Sequence, residues 1–235
     1  MISNPSLKSK SWKSKIEPFE AHAARYESWF ENHPAAYQSE LDAVRLLVPD
    51  FRSAVEIGIG TGRFSIPLGI KTGIEPARGA MRFSRSKGIE VVQAVGEDLP
   101  FASSIFDLAL IVTTICFFSD ALLALKEVFR TLKTGGSVLI GFIDKNSLLG
   151  RRYALRRDSP FYSDAKFYSV GEISELLDRA GFRHLVYAQT LFRAGAEKKQ
   201  PPEKGHGTGS FVVVRARKDP KIHVPKTRAK LRNKS

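Results

Sequence analysis

The chain has 235 residues, 43% of them hydrophobic, which suits one sizeable α/β core and excludes wholesale disorder. Its net charge of +13 sits in two tails, +4 over residues 1–16 and +8 over 215–235, and the remaining +1 argues against a nucleic-acid-binding surface on the body. The longest apolar run, Leu108–Phe118, is too short for the roughly 20 residues of a membrane span, the single cysteine, Cys116, leaves no intrachain disulfide, and the five histidines form no metal-ligand cluster.

In chain order, residues 1–16 predict a flexible basic tail, 17–216 one domain, and 217–235 a disordered basic tail. No apolar leader follows the first lysines, so a cytoplasmic protein is expected. Helical spacing predicts a helix in AHAARYESWFENH and another over about 35–48, ended by Pro49-Asp50. From Ala54 strands and helices alternate. The strands are AVEIGI, about 71–75, IEVVQAV, FDLALIVTT and SVLIGFI. The fourth is almost wholly apolar, as a central parallel strand covered on both faces should be. Pro76 opens a helix to about Lys87, and another runs over about 121–132, closed by Gly135-Gly136. Residues 145–168 break the rhythm and read as a lid-like insertion. A helix over 170–180 follows, then RHLVYAQTLF and SFVVVRARK. These last two strands have no helix between them and are expected to pair antiparallel at one edge.

The first strand runs into VEIGIGTG at 55–62, and Glu75 ends the second strand. On residues alone this turn can hold a dinucleotide, a triphosphate or a ligand without phosphate. G-x-G-x-x-G/A fits Gly58 and Gly60 but meets Arg63 at the third small position, and no Lys-Ser/Thr follows as in a P-loop. Neither phosphate reading fits well.

The run E-x-G-x-G-x-G at 56–62, the acid Glu75, E-D-L-P-F at 97–101, F-D-L-A-L at 106–110 and L-K-T-G-G-S-V-L-I at 132–140 resemble the class I S-adenosylmethionine (SAM)-dependent methyltransferases. The resemblance spans about residues 20–215 and lies nearest the ubiquinone/menaquinone-type branch. It implies a Rossmann-like α/β fold with a doubly wound seven-stranded sheet, mostly parallel with an antiparallel last strand. It also implies SAM as cofactor, S-adenosylhomocysteine as product, and a segment like RYESWF at 25–30 lying over the cofactor. The cofactor-binding candidates are Glu56, Gly58, Ile59, Gly60, Gly62, Arg63, Glu75, Pro76, Gly96, Glu97, Asp98 and Thr113. Arg63 would pair with the methionine carboxylate, Glu56 would face the α-amino group, and Glu75 would accept the ribose hydroxyls. Val95 stands where an adenine-binding acid is common, which leaves Gly96, Glu97 or apolar contact to hold the base.

Methyl transfer mainly needs alignment and exclusion of water, and a base only when the acceptor must lose a proton. The acceptor should sit beyond the fourth and fifth strands, near 113–118 and 144–168. Asp144 is the candidate base, with helix capping or solvation as its alternatives. Cys116 reads as a packed residue. Tyr153, Phe161, Tyr162, Phe167 and Tyr168 suggest an aromatic lid, and Arg151, Arg152, Arg156 and Arg157 could attract an anionic acceptor. The D/N-P-P-Y/F run that resembles planar-amine methylation is missing, and a small-molecule acceptor methylated at oxygen or carbon is expected. The alternatives are an RNA- or protein-modifying enzyme, with weak nucleic-acid contact through the basic tail, and a non-catalytic SAM-binding module.

Overall fold

The computed structural model describes residues 11–156, 159–193 and 195–219. Three helices come first: α1 (Ser11–Ala21), α2 (Ala23–Asn32) and α3 (Pro34–Leu47). The expected tails over residues 1–16 and 217–235 are corrected in part, because residues 11–16 belong to α1 and Arg217 ends the last strand, with the Lys218 N–H bonded to the Gly136 carbonyl; residues 1–10 and 220–235 lie outside the described residues. Ile16 and Phe19 give α1 an apolar side that packs on the Ala23–Ala77–Ala80 cluster, which Ser/Lys composition alone conceals.

The alternating part runs β1 (Ala54–Ile57), α4 (Ser65–Leu68), β2 (Thr72–Ile74), α5 (Arg78–Ser86), β3 (Glu90–Val92), β4 (Phe106–Val112), a 3-10 turn at Ile115–Phe117, α6 (Ala121–Thr131) and β5 (Leu132–Ile143). It closes with α7 (Leu148–Leu155), α8 (Val170–Ala180), β6 (Arg183–Thr190), β7 (Glu203–Lys204) and β8 (Phe211–Arg217). The strand order is β3-β2-β1-β4-β5-β8-β6-β7. Strands β1 to β5 are mutually parallel, and β8 runs antiparallel between β5 and β6. The sheet therefore has eight strands, not seven. The extra strand, β7, pairs with β6 through only Glu203 and Lys204. Two charged residues after Pro201-Pro202 offer no alternating pattern to read; backbone pairing alone makes them a strand.

Strand β4 shows why its sequence is uniformly apolar. Ala109 and Ile111 face the core shared with α6 and α8, while Leu108, Leu110 and Val112 face the core shared with α3. Strand β5 continues through Gly135 and Gly136, where a helix stop is expected; the register against β4 shifts between Phe106 and Leu108 to accommodate them. Helix α8 starts with the reciprocal Ser169–Glu172 capping box and ends at Gly181, φ +102°, as its pattern predicts.

The N-terminal helices cover the carboxyl edge of the sheet. Glu20 of α1 accepts from the Gly79 N–H at 3.2 Å, and Lys15 Nζ donates to the Phe118 carbonyl at 2.9 Å. The ring of Phe19 lies 5.3 Å from Tyr26, 5.0 Å from Phe117 and 5.4 Å from Phe161. One side chain thus joins α2, the turn after β4 and the 145–168 segment into a roof.

Candidate cofactor and acceptor site

The turn after β1 is built on positive φ values, +71° at Gly58, +53° at Gly60 and +81° at Gly62. Gly58 and Ile59 N–H both donate to the Ile74 carbonyl at 2.9 Å, tying the turn to β2. A Cβ on Gly58 would overlap Thr114, whose hydroxyl lies 3.1 Å from the Gly58 carbonyl. Glycine is therefore demanded there by backbone conformation and by close approach together. Thr113 itself has φ +52°, a costly conformation for a β-branched residue, held by its N–H to the Gly141 carbonyl at 2.8 Å. Its side chain lies beside Tyr26 of α2 at the cavity wall, and Tyr26 also lies over Gly60.

Two carboxylates sit behind this turn. Glu75 is buried, accepting from the Gly60 N–H at Oε2 and the Ala77 N–H at Oε1, both at 2.9 Å. Burial raises its pKa to about 7 against those two bonds. Each oxygen keeps a lone pair for a further donor. Glu56 is equally buried and accepts from the Ser65 hydroxyl; burial raises it to about 8.

The other candidates are placed unevenly. Ile59 packs over Gly73 with Met81, Ile89 and Val91, so only its backbone faces the turn. Pro76 accepts from Gln93 Nε2 through its carbonyl. Gly96 lies against the ring of Phe118, which a Cβ would overlap. Glu97 is drawn away from it and caps the next turn, accepting from Ser119 N at 2.6 Å and Asp120 N at 3.1 Å. Asp98 follows it, half-buried. Arg63 does not stand free for a carboxylate. Its guanidinium pairs with Glu27 at 2.8 Å and Glu31 at 3.3 Å and lies 5.3 Å from the Phe30 ring centroid. Lys87, the residue that caps α5, reaches the same Glu27 at 2.7 Å. Burial pushes the Glu27 carboxyl up, but the Lys87 and Arg63 cations on its Oε1 outweigh it and hold it below the usual range. Arg63 is thus a clasp holding α2 onto the turn.

Beyond the ends of β4 and β5 lies a cavity of roughly 820 Å³, walled by Tyr26, Trp29, Thr113, Phe142, Tyr153 and Tyr162 among others. Tyr153 and Tyr162 stack at 4.6 Å. Cys116 lines it, but burial pushes its thiol up to about 12, so it is no nucleophile at neutral pH. Asp144, the candidate base, is not among the described residues lining the cavity. Its Oδ1 accepts from the Asn146 N–H at 3.1 Å in the turn before α7, while the helix cap itself is Ser147, which accepts from the Gly150 N–H. Arg156 stands at the mouth, exposed, and Arg157 lies outside the described residues. The buried acid of the cavity is Glu40 of α3, which sequence reasoning missed. It is 5% exposed, and among the described residues it has no hydrogen-bond or ion-pair partner. Burial alone raises it to about 8. The signal was readable: Glu40, Val44 and Leu47 lie at i, i+4 and i+7, so the acid falls on the apolar stripe.

Residues 55–140 match the family model described as a methyltransferase domain. A Thermotoga maritima structure, described as a SAM-dependent methyltransferase and possible histamine N-methyltransferase, is 42% identical. It superimposes with a TM-score of 0.85, covering 87% of this chain and 100% of that one. The chain belongs to the class I SAM-dependent methyltransferases. An uncharacterized protein of Methanocaldococcus jannaschii is 38% identical over 202 residues, 85% of this methyltransferase and 98% of that protein. The demethylmenaquinone methyltransferase of Corynebacterium kroppenstedtii is 29% identical over 87 residues, 37% of this chain and 38% of its own. The cofactor of this methyltransferase is SAM.

The raised carboxyl of Glu40 has a consequence for stability. Its unfolded value is near 4.5 and its folded value near 8. A group with a raised folded pKa contributes fully below the unfolded value, and that contribution is lost as pH rises toward the folded one. Glutamine does not titrate. Glu40→Gln should therefore match the parent protein in Tm near pH 5 and exceed it by on the order of 5 °C near pH 8.5. Calorimetry at the two pH values checks this, and a lower Tm for the variant at both would contradict it.

Proposed function

We propose that this methyltransferase acts on a small-molecule acceptor held in the aromatic cavity. The carrying observation is the cavity itself. Its roughly 820 Å³ adjoin Thr113 at the end of β4 and lie under the roof built on Phe19, and such a volume fits a small molecule rather than a chain of nucleotides. The near-neutral body also favours this over RNA or protein. The domain reading follows, widened to take in α1 and the end of β8: residues 11–217 form one catalytic domain, with 145–168 serving as the cavity's lid.

The residues around the glycine turn fit the cofactor. Glu75, with a free lone pair on each oxygen, would accept the two ribose hydroxyls. Gly58, Gly60 and Gly62 keep Cβ atoms out of the approach, and the backbone of Ile59 and Pro76 lies beside them. Glu56 would face the α-amino group. Gly96, against Phe118 and followed by Asp98, would border the adenine, with Glu97 shaping that turn. SAM brings an electrophilic methyl on a positively charged sulfur. The protein's part is to hold the acceptor in line beside Thr113 and keep water out, work suited to Tyr26 and the roof. Oxygen or carbon is the acceptor atom expected from the missing D/N-P-P-Y/F run. Nitrogen is the second reading, favoured by the name of the Thermotoga maritima relative.

Methyl-labelled SAM, incubated with the full chain and separated metabolite, RNA and protein fractions, tests the proposal. Label should enter the metabolite fraction. Label confined to RNA or protein would overturn it, and no transfer with intact cofactor binding would mark a non-catalytic module. For the site, Glu75→Ala should weaken S-adenosylhomocysteine about tenfold or more, while Arg63→Ala should cost clearly less. Titration calorimetry reads both, and an equal or reversed order would refute these roles.

A further inference from the structure

We infer that the cavity takes a basic amine as its acceptor, the nitrogen reading in place of oxygen or carbon, and that Glu40 is the residue that holds it, an inference resting on the small-molecule reading above. Glu40 lines a mainly aromatic cavity, nine-tenths and more buried, with no partner among the described residues. Alone in such a wall the carboxyl costs several kcal/mol to ionise, and burial holds it neutral up to about pH 8. Position 40 lies on the buried stripe of α3 between Ser39, which accepts from Gln200 N at 2.8 Å, and the fully packed Leu41. An apolar side chain would serve the fold better there. A ligand that donates N–H bonds and carries positive charge removes the penalty.

The surroundings agree with that charge. Trp29, Phe64, Tyr153, Phe161 and Tyr162 line the same space, and an aromatic wall suits a cation better than an anion. The titratable groups that feel Glu40 are the phenols of Tyr26, Tyr153 and Tyr162, all raised first by burial and further by its negative charge. All three stay neutral near pH 7 and supply no counter-charge. The cationic lining residues Arg25, Arg156 and Arg193 are exposed at the mouth, where water solvates them. An anionic group would be stopped there; placed beside Glu40 it would meet a like charge.

The chemistry balances in protons. A bound ammonium donates one N–H to a Glu40 oxygen. When that proton passes across, the carboxylate becomes a neutral carboxyl and the nitrogen becomes a neutral amine with a lone pair. That proton state suits a carboxyl whose pKa burial has already lifted.

The test is a titration of arylalkyl amines, phenethylamine among them, each against its alcohol isostere. The full chain is first saturated with S-adenosylhomocysteine. At least one amine should bind about tenfold tighter than its alcohol, the value of a charge-assisted hydrogen bond. Glu40→Gln should erase that preference and leave S-adenosylhomocysteine affinity unchanged, which also shows that the variant is folded. Alcohols binding as well as amines across the panel would overturn the inference, as would a preference that survives in Glu40→Gln. Labelled methyl entering an alcohol but no amine would defeat the amine alone, leaving the small-molecule reading standing. Label confined to RNA or protein would defeat that reading itself.

Discussion

A buried carboxylate held by two backbone N–H groups is the constraint around which this methyltransferase is arranged. Glu75 sits at the end of β2 with the Gly60 and Ala77 amides on its oxygens and no cation beside it among the described residues. Its geometry fixes the glycine turn: the amide of Gly60 can reach it only if the chain passes through left-handed backbone at 58, 60 and 62. Glu56 and Glu40 share its condition, buried and, among the described residues, without a cation. Three acids of this kind are an expensive way to build a fold, and all border the proposed cofactor and acceptor positions. Stability has been given up where ligands are to bind.

The roof is the second layer of that arrangement. The glycine turn is open toward solvent until α2 crosses it, and α2 is clasped from below through Glu27, which receives both Arg63 and Lys87. Phe19 then carries the contact from α2 to the turn after β4 and to Phe161. Cofactor side and acceptor side therefore share one cover. Tyr26 touches both, through its ring over Gly60 and its place beside Thr113.

What the sequence disclosed follows from how local each signal is. The β1 turn, Glu75, the central strand β4 and the helix α8 are written in contiguous residues with strong backbone or patterning demands, and they are where the reading placed them. Strand β7 is held only by pairing to β6, so no local pattern marks it. Helix α1 hides its few apolar residues among lysines and serines. Arg63 reads as a free cation because its partners, Glu27 and Glu31, lie more than thirty positions upstream. Glu97 and Asp144 are acids at apt places in the chain that the fold employs as turn caps. Glu40 was legible in principle, as an acid on an apolar stripe, but a helix crowded with other polar residues hides it.

Glu75 also offers the most direct test of the central claim. Free, its carboxyl has a pKa of about 7; accepting two ribose hydroxyls would favour the ionised form and lower it. Calorimetric titration of S-adenosylhomocysteine near pH 7, in buffers of different ionisation enthalpy, counts the protons exchanged. The account predicts tight binding with release of a substantial fraction of one proton, lost in Glu75→Gln. Absence of binding, or binding whose proton count is the same in parent and variant, would contradict it.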